Sequence, residues 1–211
     1  IDSLLNSEIF TEGGETFNFC KLLAGSEGTL AFSHRIKLNV IPLPPKFKGL
    51  VCAHFETLEE SLEGNLIALK HKPTAIELMD DTVMQCTKAN REQNKNRFFV
   101  KGDPGAMLMI EFSFDTEKEL NDTVAALEKD LREAGLGYHF PLVTGADKIK
   151  RVWALRTAGL GLLANIPGDR KGVPGIEDTA VLPKYLPDYI ADLKVVLKKL
   201  GLESVYYAHI A

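Results

Sequence analysis

The sequence predicts an α+β domain in which helices cover an antiparallel sheet, and three observations carry that prediction. Between Ala106 and Asp115 the side chains alternate: Ala106, Leu108, Ile110, Phe112 and Phe114 fall on one side, Met107, Met109, Glu111 and Ser113 on the other, as in a strand with a strongly apolar face. Thr116 then heads a helix to about Ala134, with Leu120, Val124, Leu127 and Leu131 as its stripe and Gly135 closing it. Gly137 to Val143 returns as a strand. Amphipathic strands alternating with helices point to a ferredoxin-like sandwich, an antiparallel sheet with helices over one face.

Composition bounds what such a domain can do. With 211 residues, 45% of them hydrophobic, the chain can bury a sizeable core in one large domain or one domain plus an appendage. A net charge of -4 without a long basic run argues against nucleic acid or an anionic membrane surface as the main partner. No run reaches the roughly 18 apolar residues of a membrane span, although a peripheral association leaves no such mark. Cys20, Cys52 and Cys86 are widely spaced and odd in number, which fits buried free thiols in a reducing cytosol better than a disulfide frame or a zinc site. The chain starts at Ile1, so the absence of a signal peptide carries little weight.

Taken in order, residues 1–15 are polar and glycine-rich and read as a loop, followed by a short helix from Glu15 to Ala24 that Gly25 stops. The turn Gly25-Ser26-Glu27-Gly28 has the shape a cofactor loop needs, but a glycine pair also serves any helix-to-strand connection. From Thr29 to Val40 the residues alternate, Ile36, Leu38 and Val40 against Arg35, Lys37 and Asn39, as in a half-buried strand. Pro42, Pro44 and Pro45 stiffen the link that follows, and a domain boundary is expected there, with residues 1–44 in one domain and 45–211 in the next.

Beyond the link, Gly49 to Thr57 is a strand, Leu58 to Lys70 an amphipathic helix, and Thr74 to Met79 a short strand. Asp80-Asp81 fits a helix start better than a metal site, because neighbouring helical residues point apart. Lys88 to Arg97 is a solvated helix end and loop. The helix from Gly145 to about Leu163 has an apolar stripe of Ile149, Val152 and Trp153 that is continued, one turn on, by Arg156. Either the Arg156 stem packs along the face with its head snorkelling or stacked on Trp153, or its fork meets a carboxylate with two hydrogen bonds. Gly159 and Gly161 weaken this helix where it crosses another element closely.

Asn165 to Gly172 is a turn-rich loop with Arg170 and Lys171 at its tip, either closing over a site or ordinary surface. Asp178 is expected to bond a neighbouring backbone amide. Pro183 and Pro187 suit helix starts, and Tyr189, Ile190, Leu193, Val196, Leu197 and Leu200 form the core face of the last helix. In the final strand, Glu203 to Ile210, Val205, Tyr207 and His209 share a face; a lone strand histidine is usually packed or hydrogen-bonded.

The stretch KLLAGSEGTLAFSHRIKLNVIPLP resembles the end of the flavin-binding domain in FAD-linked oxidases of the vanillyl-alcohol oxidase type. The later RVWALR, GIEDTAVLPKYLP and YYAHIA, in that order, resemble the cap of the glycolate oxidase and D-lactate dehydrogenase branch. The resemblance implies a fragment: a stub of the FAD domain, with Gly25, Ser26, Glu27, Gly28, Thr29 and Leu30 beside the cofactor, then a ferredoxin-like cap. It implies oxidation of a D-2-hydroxy acid by hydride transfer to FAD, with Arg156 holding the substrate carboxylate and His209 near its hydroxyl. A site role for Glu177 belongs to the same resemblance. His209 matches the first histidine of a motif that binds a divalent metal in some members; here Ala208 replaces the preceding glycine, and the chain ends before the position of a second histidine. One imidazole is no metal site, so this polypeptide is expected to bind no metal tightly, to bind FAD weakly or not at all, and to be inactive alone. The implied electron acceptor is a quinone, cytochrome or iron-sulfur partner, and the implied location cytoplasmic or peripheral at the membrane. Two alternatives stand beside it: a non-enzymatic ferredoxin-like binding or assembly domain, and a related flavoenzyme acting on another substrate.

Overall fold

A computed structural model describes residues 1–166, 168–169, 171–173, 176 and 179–211. The chain divides into two compact units, Ile1–Leu43 and Pro44–Ala211. The first holds two short helices, α1 (Asp2–Leu5) and α2 (Cys20–Ala24), neither with a buried residue. Cys20 is therefore exposed, against the expectation of a buried thiol, whereas Cys52 is buried and Cys86 half-buried. The helix expected from Glu15 begins only at Cys20, and the alternating stretch from Thr29 to Val40 forms no strand. Ile36, Leu38 and Val40 are all exposed, at 69%, 77% and 89%. Alternation makes a strand only where a neighbouring strand takes up its amides and carbonyls, and none pairs with this stretch among the described residues.

The second unit is built on β1 (Phe47–Phe55), α3 (Leu58–Lys70), β2 (Ala75–Asp80), β3 (Ala106–Phe114), α6 (Glu117–Glu133) and β4 (Leu142–Thr144). Between β2 and β3 lie α4 (Asp81–Ala89) and α5 (Arg91–Asn94); after β4 come α7 (Ala146–Leu163), a short 3-10 turn (Pro183–Tyr185), α8 (Leu186–Lys199) and β5 (Tyr207–His209). Among the described residues the strands form one antiparallel sheet, in the order β4-β1-β3-β2-β5. The βαββαβ path with the central order β4-β1-β3-β2 is the ferredoxin-like arrangement.

Local chemistry explains where these helices begin. Thr57 and Thr116 accept the N–H groups of Glu60 and Glu119 at 3.1 and 3.2 Å, and Asp80 accepts that of Val83 at 3.0 Å. Asp80-Asp81 is thus a helix start, as the sequence indicates. Pro183 and Pro187 both sit in first turns.

Helices cover both faces of the sheet, not one. Val51, Ala53, Phe55, Ile76, Leu78, Leu108, Ile110 and Phe112 pack against α3, α6 and α8 through Leu62, Leu127, Leu131 and Ile190. Leu50, Cys52, Met79, Met107 and Met109 pack on the other side against Val83 and Met84 of α4 and Val152 and Leu155 of α7. Methionines on the second face of β3 were the sign of this: a strand apolar on both sides is buried on both sides.

Other differences are of extent. β4 is shorter than expected, because Gly137 takes a left-handed φ of 71° and Pro141 has no N–H for the ladder; before it only a His54–His139 bridge forms. β5 comprises Tyr207–His209 alone. In α8, Val196 and Leu200 are 52% and 66% exposed, so the core face is narrower than the stripe suggests.

Asn65 of α3 is fully buried, and neither its amide nitrogen nor its carbonyl oxygen has a partner. Asn65→Leu, of similar size, is expected to stabilise the chain by about 1 kcal/mol, read as a higher urea midpoint. A lower midpoint would show that Asn65 is satisfied in solution.

Candidate functional site

The side chains of β2 divide between the two layers. Ile76 and Leu78 enter the α3/α6 core, and Met79 the opposite one. Glu77 shares the face of Met79, and the register sets it between Met109 of β3 and His209 of β5. On that face α7 approaches closely at Gly159, where an added Cβ would lie 2.7 Å from the Tyr207 ring and 2.9 Å from Val83. The approach delivers Arg156, one turn earlier on α7, onto β2 and β5. The close crossing foreseen at Gly159 is present; at Gly161 a Cβ would meet nothing.

Arg156, Glu77, Tyr207 and His209 form one connected cluster. Arg156 Nη2 donates to Glu77 Oε2 at 2.6 Å, and His209 Nδ1 lies 2.8 Å from Glu77 Oε1. The guanidinium carbon sits 3.3 Å over the centre of the Tyr207 ring, a cation–π contact, and the Tyr207 hydroxyl donates to the Arg156 carbonyl. Arg156 therefore stacks on Tyr207, not on Trp153, because β5 brings a ring under α7 where the helix has no room for anything larger than glycine.

Burial pulls the Arg156 guanidinium down from its ordinary value, and the Glu77 carboxylate opposes that. The side chains of Arg156 and Glu77 are only 12% and 16% exposed, whereas His209 is 65% exposed. Among the donors of the fork, Arg156 Nε is buried without a partner. The cluster thus holds a largely buried cation, one N–H of which has no partner, beside an imidazole open to solvent. Such a pairing suits a small anion that carries a hydroxyl.

Two of the expected site residues, Arg156 and His209, are brought together, and the residue that joins them, Glu77, was missed. Its signal was faint: one acidic residue amid the apolar part, AIELM, of a strand that ends at Asp80. Lys171 donates to the Ile166 carbonyl at 2.6 Å; Arg170, Glu177 and Asp178, and the roles expected for them, lie outside the described residues. Among the described residues no three His, Cys, Asp or Glu side chains converge for a metal, and Glu77 with His209 makes only two. No helix of the described residues is long and apolar enough to cross a membrane.

The turn of the first unit stands by itself. Gly28 and Glu27 have φ of 76° and 49°, while Gly25 is not in the left-handed region. The amides of Ser26 and Thr29 are engaged by the Leu23 and Ser26 carbonyls at 3.2 and 2.9 Å, and that of Gly25 by Leu23. Nothing lies within 4 Å of a Cβ built on Gly25 or Gly28. Three of the turn's amides, those of Gly25, Ser26 and Thr29, are therefore already engaged within it.

The second unit belongs to a defined class. Residues 44–211 match the model of the C-terminal domain of FAD linked oxidases, and the chain is a member of that family. The D-2-hydroxyglutarate dehydrogenase of Pseudomonas putida is 32% identical over 202 residues, 92% of this chain and 20% of the relative. That of Escherichia coli K12 is 27% identical over 96% of this chain, and the D-lactate dehydrogenase of Archaeoglobus fulgidus 23% over 98%, or 44% of the relative. The chain spans about one fifth of the length of the D-2-hydroxyglutarate dehydrogenases it matches.

Proposed function

We propose that this chain is the substrate-side portion of an FAD-linked dehydrogenase that oxidises a D-2-hydroxy acid, of the D-2-hydroxyglutarate, D-lactate or glycolate type. The observation that carries the reading is the buried Arg156 fork with its unused Nε beside the exposed His209. Arg156 binds the substrate carboxylate and so fixes the orientation of C2. His209 stands at the hydroxyl and takes its proton as the C–O bond becomes a carbonyl. FAD would be held by the whole enzyme, with residues 25–30 among the groups that would contact it, and would supply the acceptor for the C2 hydride; the electrons would pass on to a quinone, cytochrome or iron-sulfur partner.

In the whole enzyme, Arg156→Ala and Arg156→Lys are each expected to lower kcat/KM for a D-2-hydroxy acid by about 100-fold, since lysine lacks the planar fork. If Arg156 is instead only a pin joining α7, β2 and β5, as its ion pair with Glu77 also permits, both variants will melt earlier and keep wild-type kinetics. That result would sink the carboxylate role.

A further inference from the structure

Glu77 divides its two oxygens between the two residues assigned to substrate, and neither bond is local: the partners lie 79 and 132 positions away in the chain. A carboxylate can only accept. With Oε2 occupied by the Arg156 donor, Oε1 holds His209 through a proton on Nδ1, so the neutral ring carries its hydrogen there and turns an unprotonated Nε2 outward. A free histidine chain on an edge strand has no reason to choose that tautomer or that ring orientation. The choice is made by a side chain held at 16% exposure between Met109 and the last strand.

We propose that Glu77 is the positioning residue of this site, holding the Arg156 fork with one oxygen and selecting the Nδ1–H tautomer of His209 with the other. The inference rests on the dehydrogenase reading for its purpose, but its physical content concerns this chain alone. Arg156 must not swing with its long stem, and Oε2 together with the Tyr207 ring restrains it. His209 must present a lone pair to the hydroxyl, and Oε1 ensures that Nε2 has one.

Glu77→Gln is nearly isosteric and gives an opposite expectation at each end. Its carbonyl oxygen must face Arg156, which only donates, so its NH2 faces Nδ1 and forces the ring to the Nε2–H form. Long-range proton–nitrogen NMR of His209 in the 211-residue chain, recorded in mildly alkaline buffer, reads this directly. Expected are Nδ1–H in the wild type and Nε2–H in Glu77→Gln. The wild type in the Nε2–H form, or a folded Glu77→Gln still in the Nδ1–H form, would overturn the proposal. The wild-type spectrum decides even if the variant fails to fold.

The kinetic arm uses the whole enzyme. Glu77→Gln should lower kcat at least tenfold with a smaller change in KM, and unchanged kcat would also count against the positioning role. A wild-type enzyme without activity on any D-2-hydroxy acid would instead defeat the dehydrogenase reading, while the spectra still decide what Glu77 does.

Discussion

Gly159→Val is expected to lower the stability of the second unit by about 3 kcal/mol, because it inserts a branched side chain where no Cβ fits. The position lies inside α7, where glycine ordinarily costs helix stability, so its presence there needs a packing reason. The reason is that a Cβ would stand 2.7 Å from the Tyr207 ring and 2.9 Å from the Val83 side chain, closer than real carbon contacts come. Tyr207 cannot yield without cost: its ring carries the Arg156 guanidinium and its hydroxyl is bonded to the Arg156 carbonyl. Relief of the clash therefore moves β5 away from α7 and separates Arg156 from its stacking partner. Two residues on, Gly161 is exposed and has open space, so Gly161→Ala should raise stability by about 0.5–1 kcal/mol. Urea unfolding of the two variants checks both signs; a Gly159→Val chain as stable as the wild type would show that α7 and β5 are not packed as described.

The contrast between these glycines shows how far the residues could be read. Periodicity alone placed α6 correctly, because Thr116, four buried leucine and valine positions and Gly135 are all local signals that agree. It marked Gly159 and Gly161 as equal weaknesses in α7, and only packing against β5 separates them. The stretch from Thr29 to Val40 failed for the converse reason. Its alternation is as good as that of β3, but the partner strand that would make it a strand is not among the described residues. One-sided cover of the sheet was also wrong, and the buried Met107 and Met109 show why: methionine is apolar enough to face a second helical layer.

The candidate site divides in the same way. Arg156 was legible because it interrupts an apolar stripe, and His209 because a resemblance singled it out. Glu77 interrupts nothing, since one acidic residue in a short strand is what a half-exposed face ordinarily shows. Its meaning comes from strand pairing, which sets it beside His209, and from the helix crossing, which sets it under Arg156. Both are long-range relations that no local spacing encodes.

Lowering the pH from 6.5 to 4 is expected to leave the wild type little changed from two buried groups that oppose each other, and Asp80→Asn is expected to unmask a loss of about 3 kcal/mol over that range. His54 is fully buried, its Nδ1 2.8 Å from the Cys52 carbonyl and its Nε2 accepting the Lys101 N–H at 3.1 Å. A second proton on Nε2 would turn that acceptor into a donor facing a donor. Burial pushes its pKa from 6.5 down to about 4; the hydrogen bond to Cys52 opposes this, and the charges of His139 and Arg97 reinforce it. The value is depressed in the folded state, so this stability is present above 6.5 and lost as the pH falls toward 4. Asp80 has the opposite sign. Burial raises its carboxyl from 3.8 to about 6, although the Tyr206 and Val83 amides favour the charged form. Its contribution is therefore full below 3.8 and lost as the pH rises through 6. The two slopes overlap and nearly cancel. Asp80→Asn keeps only the His54 slope and should weaken toward acid, whereas His54→Gln keeps only the Asp80 slope and should gain about 3 kcal/mol between pH 6 and 4. Urea midpoints measured across this range decide it: two variants that both track the wild type would mean that neither group is held in the protonation state its burial dictates.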